Sequence, residues 1–324
     1  MNRRRLLVTL ALASGVARAL PASAQSWPVK PVRIIVPYGA GGNIDLVARL
    51  LAGSLARRLG TAVIVDNVAG ANGNIGTAAL LRAEPDGHTI GMLTSATLTI
   101  NPHVYREAAL DIPGGLSLIS EVASGPMAFI AHSSLPVAGM QDLITLARAR
   151  PGELNCASGS NASLAHLALE LLKQSATLDI VHVPYRSGAA ALAAVVAGQV
   201  PLAVNTLSTS IPYASQGQIR ILAVTSETRS PRLPDVPTVA EVAIAGFSAD
   251  SWLALCGPPG LPAPFVDRLQ RESAASVHEP EIAVRLAELG SDAVGGTGLA
   301  LKARIVEDYR KWGKVVAVSG MRAQ

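Results

Sequence analysis

The sequence predicts an α/β protein whose parallel sheets form two lobes with a ligand cleft between them. Three observations carry this. Short apolar runs alternate with stretches of helical period, the pattern of repeated strand–helix–strand units. The pattern runs once to residue 94 and restarts near residue 116, giving two blocks joined by two crossings of the chain. Several strands also end in turns rich in Gly, Ser and Asn, where ligands of such folds bind.

The elements follow in order. Trp27-Pro28-Val29-Lys30-Pro31 leads, extended, into a strand at 32–36. Pro37-Tyr38-Gly39-Ala40-Gly41-Gly42 is a turn, and Asn43 is a favoured cap for a helix at 43–59. Ile44, Val47, Leu51 and Leu55 fall on one face of that helix, with Arg49, Arg57 and Arg58 on another. Residues 61–67 read as a strand buried on both faces. A second glycine-rich loop, Gly70-Ala71-Asn72-Gly73-Asn74-Ile75-Gly76, feeds a short helix, and a third strand spans 88–94. In the second block, strands are expected at 116–122, 127–131, 153–158, 179–183, 200–205 and 219–225. Helices are expected at 140–150, 161–173 and 187–197. A proline-rich connection at 229–237 precedes a last strand at 252–256. From residue 264 onward the pattern is helical, with Leu301, Ile305, Tyr309, Trp312 and Val316 at helical spacing, and this tail is expected to pack back on the first lobe.

Charge is unevenly placed. The chain of 324 residues carries a net charge of +4, and Arg3, Arg4, Arg5 and Arg18 precede residue 25 without any Asp, Glu or Lys. The remainder is neutral, which removes the main argument for nucleic-acid binding. Residues 1–24 have the form of a cleavable signal peptide: a charged start, an apolar stretch over 6–17 and an Ala22-Ser23-Ala24 cleavage site. The apolar stretch falls short of the about 20 residues that span a bilayer. Arg3-Arg4 leaves both the general secretory and the twin-arginine routes open. The mature chain is therefore expected to be exported, starting near Gln25. Cys156 and Cys256 lie in apolar runs and read as buried small hydrophobes.

The candidate site gathers at the strand ends. Gly41 and Gly42 free the backbone to approach a ligand, and the helix start at Asn43 offers unpaired N–H groups to an anion, with Asp45 in its first turn. Ser95 and Ala96 follow the third strand. Ser158, Gly159, Asn161 and Ser163 fill the turn before the helix that carries His166, and Asn205 closes the strand from Val200. Tyr38 and Tyr185, each just after a strand, could wall the pocket. These groups bring dipoles without a fixed positive charge, which suits a small carboxylate held by backbone N–H groups and water. Enzyme signatures are poor: there is no G-x-S-x-G, H-E-x-x-H, C-x-x-C or P-loop pattern, and no full G-x-G-x-x-G. No catalytic residue, metal or cofactor is expected. An exported hydrolase using Ser163 and His166 is a weaker alternative.

These stretches together resemble the Bug-type receptors of tripartite tricarboxylate transporters. The resemblance runs from Trp27-Pro28 and Pro37-Tyr38 with Gly41-Gly42 and Asp45, through Gly73-Asn74-Ile75-Gly76, Pro85-Asp86-Gly87 and Leu154-Asn155 with Ala157-Ser158. It continues in Val181-His182-Val183-Pro184-Tyr185, Leu222-Ala223-Val224-Thr225, Leu233-Pro234-Asp235-Val236-Pro237-Thr238 and Lys311-Trp312. It implies a class II periplasmic binding protein fold, with residues 25–130 and 250–324 in one lobe and 131–249 in the other. It also implies a monomeric receptor that closes on a small carboxylate and hands it to a permease of large and small subunits. Signalling to a membrane sensor kinase is the alternative output. Departures from the family pattern are Tyr38 for Phe, Gly39-Ala40 for Ala-Pro, Asn43 for Ser or Thr, and Val204-Asn205-Thr206 for Phe-Asp-Asn. Without that Asp, the site lacks a charged acceptor for an ammonium group, which points to a plain carboxylate over an amino acid.

Overall fold

A computed structural model describes residues 27–105 and 115–321. The segment 1–24, expected to be a signal peptide, lies outside the described residues. The first block supplies β1 (Val32–Val36), α1 (Asn43–Leu59), β2 (Val63–Asn67), α2 (Asn74–Leu81), β3 (Thr89–Thr94), α3 (Ser95–Thr99), α4 (Asn101–Val104) and β4 (Ser117–Gly125). The second supplies β5 (Met127–His132), α5 (Met140–Ala149), β6 (Asn155–Ser158), α6 (Leu164–Ala176), β7 (Val181–Pro184), α7 (Gly188–Val196), β8 (Leu202–Thr206), α8 (Leu207–Ser215) and β9 (Ile219–Val224). After the short α9 (Val239–Val242) the chain returns through β10 (Ser251–Gly257), α10 (Ala263–Val277), α11 (Pro280–Glu288), β11 (Asp292–Ala293) and α12 (Gly298–Ser319). Among the described residues no helix is long and apolar enough to cross a membrane.

Two sheets form, in the orders β11-β4-β10-β3-β1-β2 and β7-β6-β8-β5-β9, one for each lobe. The expected parallel pairing holds for β1 with β2 and β3, and for β6 with β7 and β8. It fails for β10, antiparallel to both β3 and β4, and for β5, antiparallel to β8 and β9. The reason is the route of the chain. Only Pro126 separates β4 from β5, so β5 starts at the end where β8 finishes, with Met127 opposite Thr206. β10 likewise starts beside the last residues of β3 and β4. Strands reached by an interlobe crossing run from the cleft outward, whereas strands reached by a crossover helix run toward it. β2 is also an edge strand rather than doubly buried, with Ile64 exposed.

Strand periodicity and helix faces explain the cores. Val32, Ile34 and Val36 of β1 pack with Ile44, Val47, Leu51 and Leu55 of α1. α12 departs from the expectation that the tail packs on the first lobe. Leu301 and Ile305 do so, in a cluster with Ile35, Leu98 and Trp252. Trp312, Val315 and Val316 instead join Phe129, Leu167 and Leu172 of the second lobe, and Gln174 Nε2 of α6 donates to the Val315 carbonyl at 3.1 Å. A helix of 22 residues is about 33 Å long, enough to lie along both lobes. Cys156 and Cys256 are buried free thiols on different sheets, and burial pushes both up to about 12.

Candidate functional site

The carboxyl ends of β1, β2 and β3 bring three loops together on the first lobe. Residues 38–42 form the first. Gly41 has φ +83°, in the left-handed region that favours glycine, so the turn reverses there without strain. The capping expectation shifts by one residue: Gly42 occupies the N-cap without a side-chain bond, and Asn43 is the first helical residue, exposed. The Asn43 side chain therefore does not close its own helix.

Asp45 is not placed as a direct ligand contact. It is buried, and each of its oxygens takes two donors. Oδ2 accepts Gly41 N–H at 2.8 Å and Arg49 Nε at 3.0 Å. Oδ1 accepts Asn67 Nδ2 and Arg49 Nη2, both at 3.0 Å. The Arg49 guanidinium, ahead of the Gly41 and Asn67 donors, holds this carboxyl down to about 2 against the opposing effect of burial. Asn67 Nδ2 also donates to the Tyr38 carbonyl at 3.0 Å, and Arg49 Nη2 reaches Asn67 Oδ1 at 3.0 Å. Asp45, Arg49 and Asn67 thus clamp the glycine turn from beneath. Because Gly41 N–H is committed to Asp45, the donors open to an anion are those of the helix start that follows it.

Tyr38 is half-buried, and its hydroxyl ties the three loops. It donates to the Asn72 carbonyl at 3.2 Å and lies 3.3 Å from Thr94 Oγ1 and 3.0 Å from Thr97 Oγ1. Thr94 caps α3 through Thr97 N–H. Ser95 is buried, and Ala96 packs against the apolar cluster shared with the second lobe. The sequence reading missed an amide network here. Asn101 Nδ2 donates to the Asn72 carbonyl at 2.8 Å and to Asn74 Oδ1 at 2.9 Å, while Asn72 Nδ2 donates to Asn101 Oδ1 at 3.1 Å. It holds a loop in which Ala71 and Asn72 both have positive φ, 45° and 51°, a strain that collects at functional sites. The signal in the sequence was Asn72 between two glycines, since Asn tolerates the left-handed region.

On the second lobe, residues 158–163 fold around one carbonyl. Ser158 Oγ and Ser163 Oγ both donate to Ser160 O, at 3.0 and 2.8 Å. Ser163 is the N-cap of α6, accepting His166 N–H at 3.3 Å, as its position predicts. Both hydroxyls therefore shape the loop rather than face the cleft, and Ser158 is buried. The nucleophile–base pair of a hydrolase is not formed: the Ser163 proton is on Ser160 O, and His166 Nδ1 accepts Ala162 N–H at 3.2 Å. Gly159 lies against the start of α7, where a Cβ would meet Gly188 N at 2.7 Å. Tyr185 donates its N–H to Ser158 O at 2.8 Å and packs its ring on the second lobe's core. Asn205 is buried, with Nδ2 3.4 Å from Thr209 Oγ1 and Oδ1 beside Gly188. Asn161 is exposed. So is Arg186, an unpaired cation among the described residues that the sequence reading overlooked, two residues before α7.

Beneath this loop two histidines stack, their centroids 3.4 Å apart and planes 12° apart. His182 Nε2 lies 2.6 Å from Ser158 Oγ, whose only hydrogen is on Ser160 O, so the imidazole is the donor. Burial, and then the neighbouring ring and Lys173, hold His166 at about 3; burial and Lys173 hold His182 at about 4. Both are neutral at neutral pH. An unfolded histidine takes up its proton near 6.5, so as pH falls below that value the unfolded chain binds protons the folded one refuses. Stability is expected to decline from pH 6.5 toward pH 4, each histidine contributing up to about 1.4 kcal/mol per pH unit. Urea midpoints measured across that range check this, and His182→Gln should flatten the slope.

The comparisons identify the family. The model of the tripartite tricarboxylate transporter family receptor matches residues 47–321. Protein BugT of Bordetella pertussis is 30% identical over 324 residues, covering 99% of this chain and 99% of that protein. Among solved structures, Rhodopseudomonas palustris Rpa4515 with adipate is 32% identical with a TM-score of 0.78, covering 91% of this chain and 99% of that chain. MatC from the same organism, solved with bound malate, is 26% identical with a TM-score of 0.75, covering 89% and 99%. With two sheets joined by two crossings and a family match over residues 47–321, the chain belongs to the tripartite tricarboxylate transporter receptor family.

Proposed function

We propose that this protein captures a small carboxylate between its lobes and delivers it to a tripartite tricarboxylate-type permease of large and small subunits. The observation that carries the reading is the clamped turn at 38–45. Asp45 occupies Gly41 N–H, and the helix start beyond it is left to donate to an anion with the aid of the helix dipole. Gly42, Asn43, Asn161 and the start of α7 near Arg186 are the proposed contacts, with Tyr38, Tyr185 and Asn205 as walls. Asp45, Ser95, Ser158 and Ser163 hold the loops, and Ala96 and Gly159 pack behind them. The bound adipate and malate of the two solved relatives support a plain acid. So does Asn205, whose neutral amide offers no charge to an ammonium group. The role is binding without chemistry, by a monomer without cofactor. The site of action is the periplasm, reached by cleavage of residues 1–24 after export by the general secretory or the twin-arginine route.

A thermal-shift and calorimetry panel tests this. Succinate, adipate, malate or citrate at 100-fold excess over Kd should stabilise the protein by about 2.7 kcal/mol. Preference for aspartate or glutamate over all of these would sink the plain-carboxylate reading, and silence across the whole panel would sink the receptor.

A further inference from the structure

The two crossings between the lobes meet at one hydroxyl. Thr225, just past β9, accepts Met127 N–H at 2.9 Å, the first residue of β5 after the first crossing. The same Oγ1 lies 3.2 Å from Met127 O, 3.0 Å from Ala249 O and 3.3 Å from Asp250 Oδ1, at the far end of the second crossing. One proton serves three acceptors, so the protonation of Asp250 decides where it goes. An ionised Asp250 attracts the threonine proton. A neutral Asp250 can itself donate to Thr225, and the threonine then turns to Ala249 O.

Asp250 is enclosed by α12 and β4. Its side chain is 13% exposed, and Arg304 Nη2 lies 4.0 Å from Oδ2. Arg304 is already engaged: it pairs with Glu121 of β4 and stacks 5.5 Å over the Trp252 ring. Asp308 accepts Trp252 Nε1 at 2.8 Å and Lys311 at 2.6 Å. Glu307 from α12 and Glu227 from the connection line the same cavity, of about 400 Å³, together with Ser124, Ser226 and Asp250. Ser226 Oγ is buried there without a partner. Glu227, Glu307 and Asp308 thus share this cavity with Asp250, Arg304 and Lys311, and Glu121 lies behind it on Arg304.

We propose that the Asp250 carboxyl, lodged between both interlobe crossings and Arg304, is a proton-operated catch on lobe movement. This rests on the receptor reading, since a catch needs lobes that open and close. Burial lifts this carboxyl from 3.8 to about 6, outweighing Arg304, Thr225 and Lys311, with Asp308 adding to the rise. The neutral form therefore favours the arrangement seen here. Any arrangement that parts the crossings and wets Asp250 restores its ordinary acidity and is favoured by the ionised form. By linkage, the ratio of the two arrangements shifts about tenfold between pH 7.5 and pH 5. His166 and His182 stay neutral through that window and do not contribute.

Fluorescence transfer between dyes on Ile64→Cys and Val181→Cys, exposed on opposite lobes, reads the movement in the full chain. The native hinge should give a transition between pH 5 and pH 7. Asp250→Asn should hold the pH 5 signal at every pH, and Arg304→Gln, which removes the nearest cation, should move the transition upward. A flat signal in the native protein, or an unchanged transition in Asp250→Asn, overturns the catch. If adipate still shifts a pH-independent signal, the receptor stands without the catch. If pH shifts the signal and no carboxylate does, the catch stands and the receptor reading fails.

Discussion

Asp45→Ala should weaken carboxylate binding by at least about tenfold and lower stability by about 2–3 kcal/mol. The substitution leaves Gly41 N–H, Asn67 Nδ2 and the Arg49 fork without the acceptor that joins them. Gly41 then loses its only fixed partner at a positive φ, and the turn carrying the open donors loosens. A loop displaced by even about 1 Å loses much of the alignment on which a small anion depends. Asp45→Asn, which keeps size but not charge, should fall between the two proteins. Calorimetry for affinity and chemical denaturation for stability separate the two effects. Native affinity in Asp45→Ala would refute the clamp. The carboxyl is held near 2, so its contribution is complete above the ordinary value of 3.8 and is lost as pH falls from there toward 2.

Gly159→Ala is expected to abolish tight binding through the other lobe. A Cβ there would sit 2.7 Å from Gly188 N and 3.1 Å from the Ser187 carbonyl carbon. Both are backbone atoms, so no side chain can swing aside and the two loops must separate. The start of α7 and the Ser158–Ser163 turn would then no longer meet on one surface. We expect a loss of about 1–3 kcal/mol in stability from overpacking and at least about tenfold in affinity. Gly39→Ala, where a Cβ meets nothing within 4 Å, is the matched control and should stay near the native values. Equal affinity for both variants would show that the loop contact does not support the site.

Much of the loop architecture was legible because turn chemistry is local. Ser163 caps α6 where its position required, and the glycine turn lies between β1 and α1. What failed was the direction in which each polar group points. Asp45 turns inward onto Gly41, Arg49 and the distant Asn67, and Ser158 onto Ser160 and the distant His182. The same distance hid Asn101, which joins Asn72 and Asn74 across 29 and 27 residues. No periodicity or motif announces such pairs.

By itself the sequence determined the strand–helix alternation, the placement of polar loops at strand ends, the neutral charge of residues 25–324 and the family resemblance. Each of these depends on neighbours within a few residues or on composition, which the chain carries locally. Only the tertiary structure decided that β5 and β10 run against their sheets, that α12 joins both lobes, and which hydroxyls and carboxylates are already taken. Those outcomes depend on where the chain crosses between lobes and on which distant donor reaches a buried acceptor first. A buried polar group is committed by its partners and not by its type.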